Sequence, residues 1–248
     1  MALRYAGDRV QVMRTVAAIL AGGAGQRTGL SVPKQLLMLA GKTVIEHSVA
    51  AFSAVPQIDE IIVAMTPGLT SEVADLLARA GYDKVSRVLE GGDTRSASAQ
   101  RAISALGSEE CNVLLHDAAR PLVTRRIIGG CVTALQTYQA VGVTIPSSDT
   151  IVVTAGGVIR QMPSRDGLHR CQTPQGFRLS VIRRAYEHAR ADPEFGATDD
   201  CGVVLRYLPE VPIAVVAGDE RNMKITYPHD IAVAETLLKG GGDAQGPG

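Results

Sequence analysis

Short apolar runs alternate with helix-period stretches through most of this chain, and that rhythm constrains its fold more than any compositional value. The runs are Thr15–Ala21, Glu60–Met65, Lys84–Leu89, Asn112–His116, Ala140–Ile145 and Ile213–Val216. Helical patterns lie between them at Thr43–Ala54, Leu69–Ala80, Ser96–Leu106 and Thr124–Gln139. Near-continuous apolar strands are those buried on both faces. Joined by helices, they need right-handed crossovers, which gives a mostly parallel sheet in an α/β fold with helices on both sides. Ligands of such sheets bind beyond the carboxyl ends of the strands. Three segments follow strands here and should gather on that edge: the loop Gly22–Gly25, the turn Gly91-Gly92-Asp93, and the pair His116-Asp117.

One stretch breaks the rhythm. Within Ser147–Arg170, two short β-like runs, Thr150–Thr154 and Val158–Met162, flank Ala155-Gly156-Gly157, a hairpin signal. The hairpin has too few apolar residues to bury itself. It is either a surface hairpin or an arm that packs on another subunit.

Composition narrows the function. Hydrophobic residues make up 46% of the 248, enough for a sizeable core. The 25 basic and 25 acidic side chains cancel, and Trp is absent, which removes the footprint of a nucleic-acid binder. Cys111, Cys131, Cys171 and Cys201 show no C-x-x-C spacing, and the five histidines are scattered. A reduced, cytoplasmic thiol set and no protein-held metal are expected. No apolar run is long enough to span a membrane, and charges at Arg4, Asp8, Arg9 and Arg14 argue against a signal peptide. Residues 1–13 read as an extension, and the glycine-rich 240–248 as a disordered tail.

The segment Leu20–Gln35, LAGGAGQRTGLSVPKQ, carries the strongest chemical signal. Glycines let backbone N–H groups converge, and Arg27 and Lys34 bring two cations, which suits a polyphosphate. The Gly-Lys-Ser/Thr ending of a Walker loop is missing. The dinucleotide pattern fails because Thr28 stands where a third glycine belongs, and Glu46 lies in a helical pattern. A nucleoside triphosphate loop remains, beside the plainer alternative of a glycine turn with solvated charges.

Later blocks decide between these. They are Gly91-Gly92-Asp93-Thr94-Arg95, His116-Asp117-Ala118-Ala119-Arg120-Pro121, Gln172-Thr173-Pro174-Gln175-Gly176-Phe177, Thr198-Asp199-Asp200 and Asn222-Met223-Lys224-Ile225-Thr226. In this order, over roughly residues 14–239, the chain resembles the cytidylyltransferase family that contains the methylerythritol phosphate enzymes of non-mevalonate isoprenoid synthesis and the ribitol-5-phosphate cytidylyltransferases. The resemblance implies one Rossmann-like domain, a three-layer sandwich of the nucleotide-diphospho-sugar transferase type, with a β-hairpin arm at about 147–170 that makes a homodimer.

The resemblance also implies a reaction and its residues. A phosphate oxygen of the acceptor attacks the α-phosphorus of CTP and pyrophosphate leaves. Positioning and electrostatics dominate such chemistry. Amides of Ala21, Gly22, Gly23, Ala24 and Gly25, with Arg27, would hold the triphosphate. Lys34 and Lys224 would flank the α-phosphate. Gly92, Asp93 and Ser98 match positions that read cytosine. Asp117, Ala118, Arg120 and Thr150 match positions around the acceptor, with Ala118 also among the nucleotide contacts. Arg165, eight residues before Thr173, would reach a partner's acceptor site, and Thr198 the acceptor phosphate. Mg²⁺ would ride mainly on the CTP phosphates.

Thr28, Val152, His169 and Cys201-Gly202 depart from the methylerythritol pattern, and Met162-Pro163 and Asp200-Cys201 lean toward the ribitol enzymes. The expected acceptor is 2-C-methyl-D-erythritol 4-phosphate, with ribitol 5-phosphate as the alternative. An inactive nucleotide-binding regulator or scaffold is the reading from a different class.

Overall fold

The structure is a computed structural model and describes residues 13–22 and 33–240. The expected alternation is present. Among the described residues, the main sheet is formed by β1 (Thr15–Ala21), β4 (Glu60–Met65), β5 (Val85–Glu90), β6 (Asn112–Asp117), β7 (Ala140–Pro146), β10 (His169–Arg178) and β11 (Ile213–Ala217). Their order is β11-β7-β10-β6-β1-β4-β5. Every pairing is parallel except those of β10, which runs antiparallel to β6 and to β7.

Strand β1 shows why the sheet is central. All seven of its residues are buried. Val16, Ala18 and Leu20 enter one apolar cluster, and Ala17, Ile19 and Ala21 the other. Side chains alternate across a strand, so a strand apolar at every position must be covered on both faces. One face is covered by α3 (Arg95–Ser104), α5 (Leu179–Arg190) and α6 (Asp200–Tyr207), the other by α1 (Val44–Ser53), α2 (Thr70–Arg79) and α4 (Arg125–Ala134). This is the three-layer sandwich the sequence implies. A small third cluster joins Leu39 of the hairpin β2 (Met38–Leu39) and β3 (Lys42–Thr43) to Val44, Ile225 and Ala234 of α7 (Asp230–Lys239).

Some boundaries differ from the sequence reading. The helix expected to reach Gln139 ends at Ala134, where Gln136 and Thr137 donate three residues back to Thr133 and Ala134 and turn the chain toward β7. The arm is narrower than expected. Its hairpin comprises β8 (Val153–Ala155) and β9 (Val158–Gln161), and His169 and Arg170 already belong to β10. Gly156 and Gly157 both have positive φ, 60° and 76°, as a two-residue hairpin turn requires. Ser147 N donates to Leu168 O at 2.9 Å and closes the arm's base. Beyond it, Ile151, Val153, Val158, Ile159 and Met162 are exposed. All four cysteines are free thiols. Among the described residues no helix is long and apolar enough to cross a membrane.

Candidate active site

The carboxyl edge of the parallel strands carries two adjoining constructions. The first is made of backbone. Gly22 follows β1, and a Cβ there would meet Ser98 Oγ at 2.3 Å and the backbone of Gly91 and Gly92 at 3.3 Å. A Cβ at Gly92 would meet that of Ala97 at 2.3 Å. These glycines let the loop after β1 and the loop after β5 touch through their main chains. Ser98 is buried, and its Oγ accepts from Gly92 N at 3.0 Å while lying 3.2 Å from Gly92 O and 3.0 Å from Thr94 O. Ser98 thus braces the 91–94 loop. Asp93 is exposed beside it, and the cap of α3 is Thr94, whose Oγ1 accepts from Ala97 N. The carbonyl of Ala21 is fixed by Gln35 Nε2 at 3.0 Å and Thr66 Oγ1 at 3.2 Å. Gly23, Ala24, Gly25 and Arg27 lie outside the described residues.

The second construction is made of charge. Asp117 ends β6 and is 7% exposed. Its Oδ1 accepts from Arg95 Nε and its Oδ2 from Lys224 Nζ, each at 2.7 Å. Burial opposes the charge of Asp117, but these two cations outweigh it and hold the carboxyl well below the usual carboxylate range. Arg95 Nη1 donates at 2.7 Å to Asp200, which is fully buried and accepts from the Tyr186 hydroxyl at 2.6 Å. Burial pushes Asp200 upward, because it has one cation where Asp117 has two. Charges therefore alternate along the row Asp200, Arg95, Asp117, Lys224. Lys34, which opens a 3₁₀ turn at Lys34–Leu36, reaches the same place: its Nζ donates to Ile225 O at 3.4 Å, next to Lys224.

A neutral hydrogen-bond chain supports this row from below. Asp117 N donates to Thr173 Oγ1 at 3.1 Å, and Thr173 Oγ1 contacts His116 Nδ1 at 3.0 Å. His116 Nε2 contacts Arg120 O at 3.2 Å. A carbonyl only accepts, so Nε2 carries the proton, and Nδ1 accepts from the threonine hydroxyl. His116 is fully buried, and burial lowers its pKa to about 3, so the ring is neutral. Arg120 Nη1 donates to Asn222 O at 2.7 Å. Asn222 Nδ2 donates to Thr173 O at 2.9 Å, and Ile225 N to Ala119 O at 2.8 Å. The segment 222–225 is thereby stitched to 117–120, and this delivers Lys224. Ala118 is fully buried, with its N on Leu20 O and its carbonyl accepting from Ser48.

The structure places Lys34, Asp117, Ala118, Arg120 and Lys224 in one neighbourhood, although the sequence reading groups Lys34 and Ala118 with the nucleotide residues, and it places Gly22, Gly92, Asp93 and Ser98 in the adjoining one. The structure leaves Thr150, Arg165 and Thr198 exposed, and it does not join them to the charged row by any described contact. Arg165 lies on the arm with Nη1 on Ser148 O at 3.2 Å. The cap of α6 is Asp199, which accepts from Gly202 N at 2.7 Å, so Thr198 stands one residue outside the helix start. Sequence reasoning assigned no role to Arg95, His116, Thr173, Asp200 or Asn222. All five stand in the quoted blocks, but only His116 lies at a strand end; Arg95 and Asp200 open helices, Thr173 lies within β10 and Asn222 in the loop after β11.

A glycine-packed loop pair beside Lys34 and Lys224, on the carboxyl edge of a Rossmann-like sheet, is the arrangement of a nucleotidyltransferase. Residues 15–240 match the family described as 2-C-methyl-D-erythritol 4-phosphate cytidylyltransferase, IspD. A protein of that name from Thermobifida fusca is 55% identical over 92% of this chain and 94% of its own. The bifunctional ribulose 5-phosphate reductase/CDP-ribitol pyrophosphorylase of Haemophilus influenzae is 39% identical over 91% of this chain and 48% of its own. The crystal structure of 4-diphosphocytidyl-2C-methyl-D-erythritol synthase from Anaerococcus prevotii superposes with a TM-score of 0.80 at 30% identity, covering 92% of this chain and 99% of that one. The chain belongs to the 2-C-methyl-D-erythritol 4-phosphate cytidylyltransferase family.

Proposed function

We propose that this enzyme transfers CMP from CTP to 2-C-methyl-D-erythritol 4-phosphate, giving the CDP-polyol and pyrophosphate. The observation that carries the reading is Lys224 held on Asp117 at the sheet edge, with Lys34 reaching the backbone carbonyl of its neighbour Ile225. Both reactants are anions, so uncompensated approach is repulsive, and cations already fixed at the meeting point need no reorganisation in the transition state. The acceptor phosphate oxygen bonds to the α-phosphorus as the bond to the β-phosphate oxygen breaks, and Lys34 and Lys224 stabilise the charge on the α-phosphoryl group. Lys224 leaves one oxygen of Asp117 available as it turns to phosphate, and that oxygen can then accept from an acceptor hydroxyl.

The triphosphate lies along the loop 21–25 with Arg27, and the cytosine against Gly92, Asp93 and Ser98. Arg120, Thr150 and Thr198 serve the acceptor. Arg165 is carried by the arm to the acceptor site of a second copy, which makes the enzyme a homodimer of single domains spanning 14–239. The exposed apolar residues of the arm, Val153, Val158, Ile159 and Met162 among them, support that reading.

Among the described residues no group of three or more His, Cys, Asp or Glu side chains could hold a metal ion, and both oxygens of Asp117 are taken by cations. Magnesium suits this site as part of the nucleotide substrate, where it neutralises phosphate charge.

The experiment is pyrophosphate release from CTP with a panel of polyol phosphates. Turnover with methylerythritol phosphate, well above that with ribitol 5-phosphate, is expected. The reverse preference assigns the acceptor the ribitol way, as the 39% relative and Met162-Pro163 would favour. Silence across the panel overturns cytidylyl transfer.

A further inference from the structure

We propose that Arg95 is a positioning residue for the transfer step: by bridging Asp117 and Asp200 it fixes the carboxylate that aims Lys224. The proposal rests on the role given to Lys224 above. Arg95 sits at the first position of α3, directly after the loop assigned to cytosine, so one helix start serves both reactants. Its guanidinium spans two carboxylates from different elements, the end of β6 and the start of α6, with Nε on Asp117 and Nη1 on Asp200. A planar fork holds the two at fixed angles, whereas the lysine ammonium is a compact point charge on a flexible stem. Asp200 is itself immobilised. Tyr186 donates to its carboxylate, and Gln175 Oε1 accepts from the backbone N of both Asp200 and Cys201, at 2.9 and 3.0 Å.

The geometry argues for more than packing. Lys224 has a side chain 38% exposed and a flexible stem, and its ammonium donates to Asp117 at 2.7 Å. Lys224 can be aimed only as well as Asp117 is held. The charged and titratable groups around Asp117 are Arg95 from α3, Lys224 from the segment after β11, Arg120 from the turn after β6, neutral His116 from β6 itself, and Asp200 and Tyr186 from α6 and α5. Without Arg95, Asp117 keeps one close cation against its burial, and its carboxyl takes up a proton at higher pH. A protonated Asp117 no longer pairs with Lys224.

The test compares wild type with Arg95→Gln and Arg95→Lys in kcat, in KM for CTP, and in kcat against pH. Dividing each variant's profile by that of the wild type removes the titration of the acceptor phosphate. For Arg95→Gln, kcat should fall by about tenfold or more while KM for CTP stays within about threefold, and the ratio should fall further as pH is lowered from about 8 to about 5. Arg95→Lys should restore a flat ratio, because a cation again faces Asp117, while keeping part of the kcat loss. If Arg95→Gln does not fold, the lysine variant alone decides: normal kcat there overturns the proposal. A loss of melting temperature with kcat and pH profile unchanged makes Arg95 merely structural and also overturns it. Lys224→Ala separates the two levels. Normal turnover in Lys224→Ala sinks the role of Lys224 itself. A dead Lys224→Ala beside a flat, undiminished Arg95→Gln sinks only the inference about Arg95.

Discussion

The two halves of the sheet edge are built from different materials. The half assigned to the nucleotide is mostly main chain: Gly22, Gly91 and Gly92 let two loops close around the Ser98 hydroxyl, which ties the 91–94 loop to itself. The half assigned to the acceptor is side chain on side chain, with Arg95, Asp117, Lys224 and Asp200 in one charged row and Arg120 tied to it through Asn222. A main-chain cradle is rigid and tolerates no added carbon. A charged row can exchange one partner for another when a substrate arrives. Thr150, Arg165 and Thr198, proposed above for the acceptor, are exposed, so in that reading this half is finished by substrate and, in the proposed dimer, by a second copy.

The largest effect should come where the halves meet. Lys34→Ala should lower kcat by on the order of 10²–10³, the usual loss for one preorganised transition-state contact, with the fold intact by circular dichroism. Near-normal turnover would remove Lys34 from the mechanism.

Next comes the cradle. Gly92→Ala places a carbon 2.3 Å from Ala97 Cβ, and overpacking of this kind costs about 1–3 kcal/mol. It should lower the melting temperature and raise KM for CTP more than KM for the acceptor. Equal effects on both substrates would erase the distinction between the halves.

The support beneath the charged row should show itself in acid. His116 is neutral in the fold with a pKa of about 3, against an ordinary 6.5. The unfolded chain therefore binds the extra proton, and stability falls as pH drops from about 6.5 toward about 3, approaching about 1.4 kcal/mol per pH unit from this group. Chemical denaturation of His116→Gln at several pH values should show a slope shallower by about one proton. Parallel curves would mean that the ring is not held neutral.

The smallest effect belongs to the rim. Arg165→Ala should raise KM for the polyol phosphate roughly tenfold, the worth of one charge-assisted hydrogen bond of about 1.5 kcal/mol, and leave KM for CTP alone. A change confined to CTP would assign the arm to the wrong half.

Apolar strands were readable because burial on both faces leaves an unbroken run of Val, Ile, Leu and Ala, as in β1 and β4. Strand β10 was not, since its sequence HRCQTPQGFR is polar and its buried Gln172, Thr173 and Gln175 are paid for by hydrogen bonds rather than by transfer from water. The site was legible at the level of blocks. Which residues bear on which was not, because Arg95 and Asp200 are 105 positions apart and only the fold makes them neighbours. The arm hairpin was found through Gly156-Gly157, but its end at Leu168 depends on the pairing of His169 with Pro146, which no local pattern encodes.

The central claim is that the nucleotide half presents the α-phosphorus and the acceptor half delivers the oxygen that attacks it. The most direct test uses acceptor labelled with ¹⁸O in its phosphate, followed by phosphorus NMR of the products. The account predicts ¹⁸O in the bridge between the two phosphorus atoms of the CDP-polyol and none in pyrophosphate. Label in pyrophosphate, or an unlabelled bridge, would contradict it.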